Sequence, residues 1–114
     1  MIITNCTPIL HLNLKSKWFE IIGESKKEEY RDISSYWEKV FTLPFIKIKG
    51  VVYDPQKVIV MFSNGYSSNR LQKAFHITGL RVGIGKPEHG AIPEKLYYII
   101  ELGEKVDVNK LVKK

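Results

Sequence analysis

Between Ile9 and Lys15, apolar and polar residues alternate with a period of two. This places Leu10, Leu12 and Leu14 on one face of a strand and His11 and Asn13 on the other. Ser16 then stands where a helix N-cap is favoured. Trp18 and Ile22, four positions apart, share one face of a short helix that Gly23 ends. A dense polar run follows, from Glu24 to Asp32. Ser35 and Glu38 have capping-box spacing and predict a second short helix over Tyr36 to Phe41, stopped before Pro44. Strand-like segments cover Phe45 to Tyr53, Val58 to Phe62, Ala74 to Val82 and Leu96 to Leu102, with a turn at Asp54-Pro55. Gly83 to Glu94 reads as a long loop with Gly and Pro, a length that small domains keep for functional or mobile segments.

Roughly five or six strands with two short helices predict an α+β fold whose strands curl into a partly closed β-barrel. No internal repeat, heptad run or low-complexity segment interrupts the chain. The expected organisation is one domain over residues 1–104 and a basic C-terminal tail over 105–114.

Composition narrows the class. The chain has 114 residues, enough for one core and too few for two. Its single cysteine, Cys6, excludes an internal disulfide and a cysteine-based zinc cluster, and suggests a reducing compartment. No run approaches the roughly 18 apolar residues of a bilayer span. The first residues, MIITNCTPIL, lack the pattern of a signal peptide. The expectation is a soluble, cytoplasmic protein with no membrane partner. The net charge of +6 favours an anionic partner, since binding phosphates releases counterions. Lys105, Lys110, Lys113 and Lys114 supply much of that excess, and a basic tail can equally be a solvated one.

Candidate chemistry centres on Lys26 to Arg31. If Glu29 to Arg31 is extended, Glu29 and Arg31 point to one face and Tyr30 to the other, and Lys26 can lean over the first face from the preceding turn. A carboxylate flanked by two cations stays ionised and suits an anionic or hydrogen-bonding ligand. The same run also fits a solvated face with surface ion pairs worth under about 1 kcal/mol each. Asn64 to Arg70 is a polar loop in which Asn64, Tyr66, Ser67 and Arg70 could stack a base and hold phosphate, or simply turn the chain. Trp18 and Trp37 could stack a base, but on short amphipathic helices they read as core residues, and Tyr36 reads as exposed. Glu88 and His89 offer an acid and a titratable base beside Gly90. The stretch from Gly83 to Lys86 lacks the spacing and the hydroxyl residue of a P-loop. His11, His76 and His89 show no metal-ligand spacing, so no metal and no cofactor is expected.

Lys26-x-x-Glu29-x-Arg31, after a short aromatic helix, resembles the G-x-K-x-x-E-x-R signature of ASCH domains, a branch of the PUA-like folds. Gly23 stands three residues before Lys26 where that signature has two. The wider run Trp18-Phe19-Glu20-x-Ile22, Glu29-Tyr30-Arg31-Asp32-Ile33 and Tyr36-Trp37 is similar to small phage and bacterial members. So are Asn64-Gly65-Tyr66-Ser67 and Gly83-x-Gly85-Lys86-Pro87-Glu88-x-Gly90, and the likeness spans about residues 9–103. The resemblance implies a PUA-like β-barrel with an RNA-binding cleft lined by the signature Lys26, Glu29 and Arg31. With it, Asn64, Tyr66, Ser67, Arg70 and Glu88 are expected around the ligand, RNA or a nucleotide. One similar branch hydrolyses the amide of N4-acetylcytidine with the signature lysine, a threonine at the position of Glu29 and a separate glutamate. An enzyme acting on a modified nucleoside or RNA, with Lys26 and Glu29 catalytic, is therefore the alternative. A protein-interaction module is a third reading.

Overall fold

The computed structural model describes residues 3, 4, 6–65 and 71–111. In chain order the elements are β1 (Ile9–Leu14), α1 (Ser16–Ile21), β2 (Glu28–Asp32), α2 (Ser35–Glu38), β3 (Phe41–Thr42), β4 (Phe45–Ile48), β5 (Val51–Tyr53), β6 (Ile59–Asn64), β7 (Gln72–Ile84) and β8 (Leu96–Val106). The α+β class and both short helices match the expectation, but the described residues form eight strands. The excess arises between Phe41 and Tyr53, where β3 is added and one expected strand becomes two. The apolar run from Phe45 to Tyr53 folds back on itself at Lys49-Gly50, both with positive φ (52° and 82°). Two left-handed residues in a row give the twist a tight hairpin needs. The second helix stops at Glu38, and Phe41 enters β3 instead.

Five strands form one mixed sheet in the order β1-β6-β7-β8-β2, and β3-β4-β5 form a second sheet. β1 runs parallel to β6, and the other pairings are antiparallel. β-Bulges between Phe75 and Ile77 and between Ile77 and Gly79 break the register of β7 with β8, which bends and twists a long strand locally. The expected barrel is not closed. Among the described residues no backbone ladder joins the edge strands β1 and β2.

The main core lies against the face that carries Leu10, Leu12 and Leu14 of β1 and Tyr98, Ile100 and Leu102 of β8, as the period-two pattern dictates. Phe19 and Ile22 bury α1 and the residue after it in this core, and Phe41 and Ile46 seat the small sheet on it. Ser16 is the first helical residue rather than the cap, and its hydroxyl donates to Asn64 Oδ1 at 3.0 Å. Gly23 turns the chain out of the helix at φ 84°, where any Cβ would run into the ring of Phe75. Tyr97 and Ile99 bury the opposite face of β8 with Tyr30 and Ala91.

Two boundaries differ from the sequence reading. β7 reaches Ile84, and Pro87–His89 forms a 3-10 turn, so the long loop is shorter than its composition suggests. β8 continues past residue 104 to Val106, whose side chain is buried with Ile59, Met61 and Ala74. The start of the expected tail is thus part of the sheet. No helix among the described residues is long and apolar enough to cross a membrane.

Candidate functional site

β2 pairs with β8 so that Glu29 lies opposite Ile100 and Arg31 opposite Tyr98, while Tyr30 lies opposite Ile99. Directly paired residues share a face, so Glu29 and Arg31 point toward the main core and Tyr30 points away. The alternation read from the sequence holds. Its depth is the new fact. Lys26 and Glu29 are 4% and 3% exposed, far too buried to line an open cleft.

The three charges form one chain, with Lys26 and Glu29 buried and Arg31 half-buried. Lys26 Nζ donates to Glu29 Oε1 at 3.2 Å, and Arg31 Nη2 meets Glu29 Oε2 at 2.5 Å. Lys26 also stands 4.9 Å from the ring centroid of Trp18 and 5.2 Å from that of Tyr30. These rings cover its ammonium with π-electron density in place of water. Two cations on one carboxylate leave a formal charge of +1 behind the sheet surface.

Of the three, Arg31 lines an opening. Its Nη2 also donates to the backbone oxygen of Asn13 at 3.0 Å, and its guanidinium lies 5.2 Å from the centroid of Trp37. The Nε is buried without a hydrogen-bond partner among the described residues. Arg31 lines a polar cavity of about 370 Å³ with His11, Leu12, Asn13, Tyr36 and Trp37. α2 supplies the two aromatic residues. Ser34 caps it by accepting from Trp37 N at 3.4 Å, which fixes the turn that presents both rings. Trp37 stacks on buried Phe41 (5.6 Å between centroids), and Tyr36 packs edge-on against Trp37 while staying 66% exposed.

The remaining expected residues fall elsewhere. Asn64 lines a neighbouring cavity of about 470 Å³ that also touches Asn13, because β6 lies on the far side of β1. Tyr66, Ser67 and Arg70 lie outside the described residues. Glu88 is exposed and does not line the Arg31 cavity. The Pro87–His89 turn holds it on Tyr30's side of β2, where Lys86 N donates to the Tyr30 hydroxyl at 3.1 Å. Gly90 follows at φ 98°, with Trp18 so near that a Cβ would lie 2.9 Å from its ring.

Tyr30 is no acid or base at neutral pH. Burial pushes its hydroxyl up to about 12, and its bond to Glu28 and the charges of Glu28 and Glu88 add to this against the Lys86 bond. Among the described residues no three His, Cys, Asp or Glu side chains are grouped to hold a metal ion. Sequence reasoning missed Asn13 and Tyr36 as parts of the Arg31 cavity. The alternation pointed Asn13 outward, but nothing local linked it to a strand 18 residues away. No protein-family profile, curated protein or solved structure matches this chain.

Proposed function

We propose that this chain is an ASCH-type, PUA-like module that binds RNA or a nucleotide at the Arg31 cavity. The observation that carries the reading is the setting of Arg31. One of its nitrogens is fixed by a buried carboxylate and a backbone oxygen, its guanidinium lies 5.2 Å from the Trp37 ring centroid, and the residue lines a polar opening. A guanidinium held in place loses little freedom when it binds, and its charge strengthens a contact to phosphate. The exposed Tyr36 ring beside it offers a stacking surface for a base. Lys26 adds charge from behind, so the site carries a net positive field without a second exposed cation.

The enzyme reading gains nothing from this geometry. A catalytic Lys26 would have to meet substrate, yet its ammonium is buried, paired with Glu29 and covered by two rings. Glu29 and Lys26 act instead as positioning residues for Arg31. Fluorescence anisotropy with labelled single-stranded RNA across a salt series tests the proposal. Phosphate contacts give a linear fall of log affinity with log salt. Binding that ignores salt, or no binding at low salt, contradicts it.

A further inference from the structure

The Arg31 cavity is the middle of three depressions along β1. A cavity of about 290 Å³ precedes it between Thr7–Ile9 and the β4–β5 hairpin, and the two share His11. The cavity of about 470 Å³ at Lys15, Ser16 and Asn64 follows it, and those two share Asn13. Along β1 itself, from Ile9 to Leu14, the backbone advances roughly 17 Å at the rise of an extended strand, and the two outer depressions reach beyond its ends.

The described lining of these three depressions carries Lys49, Arg31 and Lys15, one cation in each, and no aspartate or glutamate. Tyr53 and Tyr36 supply aromatic rings in the first two. The larger cavity elsewhere, about 510 Å³ beside Asp54, Lys57, His76 and Glu104, mixes both signs. From this we infer that β1 floors a continuous groove for an extended single strand of RNA, of roughly four to six nucleotides, at the short end of single-strand site sizes. This rests on the Arg31 reading and adds the length and form of the ligand.

A sheet edge is also where a peptide strand could add, and the structure argues against that here. Ile59 N bonds to Pro8 O and Gly65 N to Leu14 O, so the even-numbered residues of β1 turn their backbone groups to β6. Asn13 faces the groove, and Arg31 already occupies its oxygen. The arginine side chain crosses the edge where a peptide ladder would have to run. Nucleic acid needs the side-chain cations and rings, not that ladder.

The experiment is a length series. The full chain is titrated with a uridine mononucleotide and with labelled oligouridines of two, four, six and eight nucleotides, and a six-residue extended peptide serves as competitor. Affinity rises by roughly tenfold or more from the mononucleotide to the hexamer and then levels, with a steepening salt slope. In the Lys15→Glu/Lys49→Glu variant, checked for folding by its thermal melt, the gain with length disappears. Lys49→Gln, a milder change on an exposed turn, loses part of it. Equal affinity at every length overturns the groove and leaves the Arg31 cavity as a single-nucleotide site. Displacement of RNA by the peptide, or preference for duplex RNA of equal length, also overturns it. No binding by any RNA or nucleotide overturns the Arg31 reading as well.

Discussion

Arg31 Nη2 spans from Glu29 Oε2 on its own strand to the backbone oxygen of Asn13, 3.0 Å away on the opposite edge of the same five-stranded sheet. A side chain therefore joins the edges β1 and β2 that no backbone ladder joins. The sheet curls far enough for one arginine to cross the seam and no further. The same crossing puts the guanidinium at the mouth of the polar cavity, so the seam and the candidate site are one feature.

Glu29 is the residue on which this feature depends. Glu29→Ala leaves Lys26 buried without its partner and frees Arg31 from one side. Urea denaturation should show a loss of about 3–5 kcal/mol, the range for breaking a buried pair. Lys26→Met combined with Glu29→Leu should recover much of that, because the buried ammonium is gone too. A cost for Glu29→Ala below about 1 kcal/mol would mean the pair behaves as an exposed one.

Tyr30 links stability to alkaline pH. Its folded-state value, about 12, lies above the ordinary 10, so the folded form holds the proton more tightly. The stabilisation is complete below pH 10 and is lost as pH rises from 10 toward 12. Thermal melts between pH 9 and 12 should fall more steeply for the wild type than for Tyr30→Phe. Parallel curves would show that Tyr30 titrates as in the unfolded chain.

Gly90 is required twice over, by its φ of 98° and by the Trp18 ring beside it. Gly90→Ala should cost about 1–3 kcal/mol by chemical denaturation, the range for a strained backbone position. A neutral result would show that the Pro87–His89 turn is not held against α1.

Val106 sits under the opposite end of the sheet, 5% exposed. Val106→Ala should cost about 1–3 kcal/mol through lost burial and the space left behind. A change within about 0.5 kcal/mol would return this position to a solvated tail, as ordinary surface sites behave.

Much of this was legible locally. Period two in β1 and β2 set which side chains share a face, and the Ser35-Glu38 spacing marked the short helix that presents Tyr36 and Trp37, although its cap is Ser34 and not Ser35. What stayed hidden depends on partners distant in sequence. The parallel pairing of β1 with β6 brings Leu14 to Asn64 across 50 positions, and no local pattern encodes that choice. Lys26 is covered by the rings of Trp18 and Tyr30, and Glu29 lies buried beside Ile100 of β8, so a charged run that reads as surface became interior. The hairpin at Lys49-Gly50 lacked the Asn-Gly or Asp-Gly signal that marks such turns.

The central claim is that Arg31 meets the ligand, and one comparison tests it most directly. Labelled single-stranded RNA is titrated by anisotropy at low salt against the wild type, Arg31→Ala and Lys27→Ala, each first confirmed as folded by its melt. Lys27 is the exposed cation on the same segment and serves as the control. Arg31→Ala should weaken binding by about 1–3 kcal/mol, the range for a lost charge-assisted contact, and Lys27→Ala should leave it within about 0.5 kcal/mol, as expected of a surface charge. Equal affinities for all three proteins would contradict the account and leave Arg31 as the clasp of the sheet alone.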